Sequence, residues 1–151
     1  MKTSDVSFGF PVLGLSADND LWGFPDLRGL TTCGPQTLRD ELQAEMELVD
    51  TNGHRWVVRS VQRIGRAGSL LGSLLSWKPQ SRIEHDLDQL GDLSLGEVHA
   101  RVCASMKAHP EFWCEPSEFE TVLPRRLAEV QATKCIAEIH EILGLDTFEA
   151  Y

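Results

Sequence analysis

The sequence lacks the features of a membrane or exported protein. A membrane-spanning helix needs about 20 consecutive apolar residues, and the longest apolar stretch, Ser69–Trp77, is too short. The N-terminus, "MKTSDVSFGF", has one lysine, an early aspartate and no long apolar run, so we expect no signal peptide. We therefore expect a single domain over residues 1–151 that is cytoplasmic and does not associate with membranes.

Cysteine is scarce, and its spacing lacks the Cys-x-x-Cys pairs by which structural zinc sites hold tetrahedral geometry. In a chain of this size without an export signal, free thiols are more common than disulfides. A zinc site assembled from scattered residues is the weaker alternative. Its members would be His99, Cys103, Cys114, Cys135 and His140. We predict buried free thiols, no bound metal and no other cofactor.

Motifs of known catalytic chemistry are also missing. The segment Gly68–Gly72 does not have the spacing of a Gly-x-Ser-x-Gly nucleophile elbow. The glycines around it lack the Gly-Lys-Ser/Thr ending of a phosphate-binding loop. Asp86 and Asp88 would share one solvated strand face, where a carboxylate pair has no special acid–base role. We assign no catalytic residue.

Charge is distributed unevenly along the chain. The net charge is −9, but residues 51–83 carry six basic and no acidic side chains, while residues 84–151 carry five basic and fourteen acidic ones. Polyanions bind to clustered lysine and arginine by displacing counterions, so an acidic chain is a poor nucleic-acid binder. We expect the basic segment to pair with its acidic flanks.

The dipeptide Asn52-Gly53 lies between two apolar runs and predicts a β-hairpin spanning about Met46 to Arg63. A two-residue loop would place Val49 opposite Trp56. A three-residue loop with Gly53 in a bulge would shift the pairing. The sequence leaves both registers open.

The segment Ser81–Leu90 supports two interpretations. As a strand, it directs Ile83, His85 and Leu87 inward and its charged residues outward. As a helix, it would align Ile83, Leu87 and Leu90 on one face. We favour the strand, because Gly91 and Asp92 then form a loop before a clear helix start.

The last third of the chain has helical signals. Ser94–Glu97 is a Ser-x-x-Glu capping box, and Ser117–Glu120 repeats that pattern. Pro124 either kinks the second helix or lies in the first turn of a new one. An apolar stripe from Leu127 continues to Gly144, a suitable C-terminal cap. Strands followed by helices predict an α+β fold, with C-terminal helices on one face of an antiparallel sheet.

The stretch "LWGFPDLRGLT…ELVDTNGHRWVV", over residues 21–31 and 47–58, is similar to a strand-turn opening of uncharacterised bacterial families. A compact acidic α+β domain without a catalytic signature also resembles, in general build, the small immunity proteins that neutralise bacterial toxins. This resemblance implies an inhibitor-like, protein-binding domain whose partner is a basic toxin.

Acidic surfaces steer association with basic partners, so acidic side chains are the candidate partner-binding residues. The first set is Glu84, Asp86, Asp88 and Asp92, and the second is Glu111, Glu115, Glu118 and Glu120. One alternative is a small-ligand-binding or enzymatic α+β domain that holds an anion with Arg55, Arg59 or Arg63. Another alternative is a structural subunit.

Overall fold

The computed structural model describes residues 1–68 and 79–145, so the motifs within Ser69–Trp77 lie outside the described residues. The strands are β1 (Val12–Leu15), β2 (Leu21–Phe24), β3 (Thr32–Cys33), β4 (Glu47–Val49), β5 (Arg55–Arg66) and β6 (Ser81–Leu90). The α-helices of the described residues are α1 (Leu27–Leu30), α2 (Pro35–Arg39), α3 (Leu95–Ala108), α4 (Val122–Ala132) and α5 (Ile136–Leu143).

The strands form one curled antiparallel sheet in the order β2-β1-β4-β5-β6-β3. The predicted α+β class, with an antiparallel sheet followed by C-terminal helices, is therefore confirmed. None of the helices within residues 1–68 and 79–145 has the length and apolar character that crossing a bilayer requires.

Alternate residues of β1, β2 and β4 contribute to two separate apolar clusters on opposite faces of the sheet. On one face, Leu13 and Val49 pack with Val102, Met106 and Ile139 from the helices. The opposite face, inside the curl, carries a second cluster. It contains Val12, Phe24, Leu30, Met46, Leu48, Trp56, Val58 and Leu87. The sheet is thus covered by helices on one face and filled by its own side chains on the other.

The hairpin between β4 and β5 has a three-residue loop. Val49 pairs with Arg55, the Asp50 N–H donates to the His54 carbonyl, and Gly53 has φ +81°. The register that places Val49 opposite Trp56 is wrong, and the three-residue alternative is the one observed. Asp50 selects it, because its buried carboxylate accepts hydrogen bonds from the backbone N–H groups of Asn52 and His54.

Ser81–Leu90 is a strand, as favoured from the sequence. Ile83, His85 and Leu87 are buried, and the acidic residues between them lie on the opposite, more exposed face. The helical alternative would have put the carboxylates on several sides. Here they line one side of β6.

The described part of the C-terminal region contains three separate α-helices, α3, α4 and α5. The capping box at Ser94 starts α3 as predicted. The helix expected after Ser117 begins later, at Val122, which places Pro124 in its first turn. The apolar stripe that continues to Gly144 is shared by α4 and α5, because the chain is extended at Thr133 and Cys135.

Candidate functional site

The acidic residues of β6 lie on one face but are held by partners within the fold. The Ser4 hydroxyl donates a 2.8 Å hydrogen bond to Glu84. The N-terminal amine and the Lys2 amine lie 3.7 and 4.0 Å from the Asp86 carboxylate. Arg59 Nε donates to Asp88 over 2.7 Å. Each carboxylate of the strand therefore has a donor or a positive charge beside it.

Two further acidic residues, Glu45 and Asp92, lie near the carboxylates of β6. Arg59 contacts Glu45 as well as Asp88: its Nη1 lies 3.3 Å from the Glu45 carboxylate. Asp92 lies in the loop after β6, is exposed, and makes no ion pair within the part of the chain that the structure describes. We call Glu84, Asp86 and Asp88 the β6 stripe. Its three negative charges face three positive groups.

The arginines proposed to hold an anion are not brought together. Arg55 contacts Glu47 at 3.3 Å, and Arg101 from α3 contacts the same carboxylate at 2.6 Å. Partial burial opposes ionisation of Glu47, but the two arginines outweigh it and lower its pKa. Arg59 contacts Asp88 of the β6 stripe, and Arg63 lines a different cleft near α2. Glu47 thus ties the sheet to α3 through Arg101, and Arg55 contacts the same carboxylate from within the sheet.

Scattered thiols and imidazoles have separate surroundings. Within residues 1–68 and 79–145, no three histidine, cysteine or acidic side chains are placed to hold a metal ion. His99 Nε2 lies 2.8 Å from the Thr133 hydroxyl, and Cys103 is buried beside the Leu127 carbonyl. No ligand set for a metal is assembled in this part of the chain.

A groove of about 1050 Å³ opens between the two edge strands, β2 and β3. These two strands stand at opposite ends of the strand order, and no pairing joins them within the described residues. Aromatic and apolar side chains form much of the wall. They are Leu21, Trp22, Phe24, Phe112 and Trp113. The groove is therefore a large concave surface with mainly apolar walls.

The floor of the groove carries buried polar side chains. Cys33, Thr37 and Gln43 line it and are at most 4% exposed. Burial raises the pKa of the Cys33 thiol to about 11, so this sulfur is a neutral thiol at pH 7. Gln43 Oε1 lies 2.8 Å from His85 Nε2, which connects the floor to β6.

His109 holds the mouth of the groove together. Its Nε2 donates to the Asp18 carbonyl at 2.8 Å and lies 3.5 Å from the Asp20 carboxylate. Its Nδ1 lies 3.5 Å from Glu111. The hydrogen bond to Asp18, then the nearby carboxylates, raise the pKa of His109. One imidazole thus joins the β1–β2 turn to the end of α3.

Acidic side chains predominate around this mouth, although the exposed Arg28 also lines the groove. Asp18, Asp26 and Glu111 are exposed and Asp20 is half-exposed, and we call these four residues the acidic rim. The nearby segment from Pro110 to Glu120 adds Glu115, Glu118 and Glu120 and contains no basic residue. Phe112 stands among them with 64% of its surface exposed. An exposed aromatic ring inside an acidic border is the feature that distinguishes this surface.

Glu111 belongs to the second acidic set predicted from the sequence, whereas the groove and the rim around it were not predicted. Asp18, Asp20 and Asp26 come from a turn-rich segment that is remote in sequence from Glu111. A pattern that could have indicated the rim is the run from Pro110 to Glu120, which combines aromatics and acids without a basic residue.

Comparison with other proteins adds no relative. No protein-family model matches this chain, and no significant match was found among curated proteins or solved structures. The functional interpretation therefore rests on the geometry of the chain itself.

Proposed function

We propose that this protein is an inhibitor-like, protein-binding domain that meets a basic partner with its acidic rim. The observation that carries the proposal is the arrangement at the groove mouth. His109 draws Asp20 and Glu111 together beside the exposed ring of Phe112. The partner class is the one that the resemblance to immunity proteins implies, a basic toxin.

The chemistry of the rim suits such a partner. Carboxylates at the edge of an interface speed association with a positively charged surface and suppress wrong partners. Binding energy is then concentrated in a few central residues, among which aromatic rings that fill a pocket are common. Phe112 and the groove beside it supply such a centre, and the rim supplies the charge.

The β6 stripe and Asp92 remain the alternative surface for the same function. Asp86 and Asp88 are about half exposed, so they can still be reached by a partner. Their positive neighbours reduce the field that they project into solvent. For this reason we place the main contact at the rim.

Two double charge reversals of equal size separate the surfaces. Asp18→Lys/Glu111→Lys alters the rim, and Asp86→Lys/Asp88→Lys alters the β6 stripe. Each variant and the wild type are used to capture proteins from a lysate of the producing cells. A basic protein that the wild type retains is then purified, whichever of the two variants also retains it.

Association rates of that protein are measured at several ionic strengths. We expect the rim variant to associate about tenfold more slowly at low salt and with a weaker salt dependence. The stripe variant should stay within about threefold of the wild type, which the smaller net field of that surface predicts. The reverse order would move the contact to β6. Equal rates for all three proteins would refute binding through charge.

A further inference from the structure

A second binding site lies deeper in the same groove, on its floor. Gln43 is only 2% exposed, and its Oε1 is occupied by His85 Nε2 at 2.8 Å. Its amide nitrogen makes no hydrogen bond to any described residue. Because Gln43 lines the groove, this buried donor group is in a position to meet a ligand.

The orientation of the Gln43 amide follows from the hydrogen bonds behind it. The Thr3 hydroxyl accepts from the His85 backbone N–H at 2.9 Å and lies 3.0 Å from His85 Nδ1. That hydroxyl has two acceptors within reach, His85 Nδ1 at 3.0 Å and the His85 carbonyl at 3.4 Å. Donation to the nearer acceptor, Nδ1, leaves the single proton of a neutral imidazole on Nε2. Nε2–H then donates to Gln43 Oε1, which directs the NH₂ group away from His85.

The backbone on both sides of Gln43 has an unusual conformation. Glu41 and Glu45 have φ of +49° and +58°, values that side chains other than glycine adopt at an energetic cost. These two left-handed residues bracket Gln43, and the Glu45 N–H is anchored to the Val58 carbonyl at 2.9 Å. The turn between α2 and β4 therefore presents Gln43 inward.

We propose that the groove floor binds a neutral, aromatic or otherwise apolar small molecule through one carbonyl acceptor, which the Gln43 amide recognises. The walls supply apolar contact through Trp22, Phe24 and Trp113. The acidic rim disfavours anions at the entrance, and the buried floor side chains Cys33, Thr37 and Gln43 include no carboxylate that would hold a cation. The Cys33 thiol on the floor carries no charge that would attract an ion. This site does not depend on the proposed protein partner.

Two neutral fluorescent probes test the site. Prodan has a naphthalene ring and one ketone, whereas N-phenyl-1-naphthylamine is of similar size and has no carbonyl. Both should bind the wild type with enhanced emission. Gln43→Met replaces the amide side chain with an apolar one of similar length and so removes the hydrogen-bond donor. It should weaken Prodan binding about fivefold to tenfold and change the affinity of the second probe by less than twofold.

A measurement on the wild type keeps the proposal testable if Gln43→Met does not fold. The side-chain NH₂ signals of Gln43, assigned through their contacts with neighbouring protons, should move on addition of Prodan and stay in place with N-phenyl-1-naphthylamine. Phe112→Ala, at an exposed wall position, should weaken both probes. Absence of Prodan binding, equal Prodan affinity for Gln43→Met and wild type, or an unmoved Gln43 signal would each overturn the proposal.

Discussion

The β6 stripe and the acidic rim contain similar numbers of carboxylates but differ in what surrounds them. On β6, Asp86 and Asp88 face the N-terminal amine, Lys2 and Arg59. At the rim, His109 is the group that bridges acids from two segments. The comparison teaches that a count of acidic residues does not locate a negative surface. The fold decides which carboxylates it neutralises itself.

The histidines of the two regions differ in the same way. His85, on the buried face of β6, is 1% exposed and has a hydrogen-bond partner at each ring nitrogen. Burial lowers its pKa to about 4. His109, at the rim, is partly exposed and its pKa is raised. The buried surroundings of His85 favour its neutral form, whereas the exposed, acidic surroundings of His109 favour its protonated form.

The largest expected effect is acid destabilisation through His85. In the unfolded chain its pKa is about 6.5, so between pH 6.5 and 4 the unfolded state binds a proton that the folded state does not. The stabilisation is present above pH 6.5 and is lost as pH falls to about 4, a decrease of about 3 kcal/mol. Urea unfolding at a series of pH values measures it. His85→Gln should remove this part of the pH dependence, and an unchanged profile would contradict it.

A smaller effect is expected from the hydroxyl that supports His85. Thr3→Val leaves the buried His85 N–H without an acceptor and should lower the free energy of unfolding by about 2 kcal/mol. Ser4→Ala, which removes an exposed bond to Glu84, should change it by less than about 0.5 kcal/mol, as should Phe112→Ser on the open side. Equal costs for all three in denaturant titrations would remove the distinction between closed and open regions.

The smallest effect, and the opposite pH sign, is expected at His109. Its pKa is raised in the folded state, so its stabilisation is complete below about pH 6.5 and is lost as pH rises through the folded value. Comparing wild type with His109→Gln between pH 6 and 9 isolates this term, because His85 contributes equally to both proteins. A wild-type advantage that grows with pH would contradict the bridge to Asp20 and Glu111.

Local sequence signals predicted most of the fold. The capping box at Ser94, the alternation of Ser81–Leu90 and the αL cap at Gly144 each describe interactions between residues close in sequence. The hairpin register stayed open at the sequence level because it depends on Asp50, whose carboxylate accepts hydrogen bonds from the turn and also from the distant Gly9 N–H. Turn residues alone do not reveal such a contact.

The candidate site was far less predictable for the same reason. Gln43 meets His85 across 42 positions and His109 meets Asp18 across 91. Neither pair has a spacing that periodicity can detect. Gly23 is a further example, since a side chain there would collide with Leu145 and His140 where α5 packs on β2. These contacts arise only when the sheet curls and the helices cover it.

The most direct test of the central claim is a measurement of the electrostatic potential next to the two surfaces. Amide relaxation caused by a positively charged and by a negatively charged nitroxide of matched structure reports that potential residue by residue. We expect the positive probe to cause faster amide relaxation than the negative probe. This difference should be larger at Asp20 and Glu111 than at Asp86 and Asp88. An equal or larger excess along the β6 stripe would contradict the claim that the rim is the open negative surface.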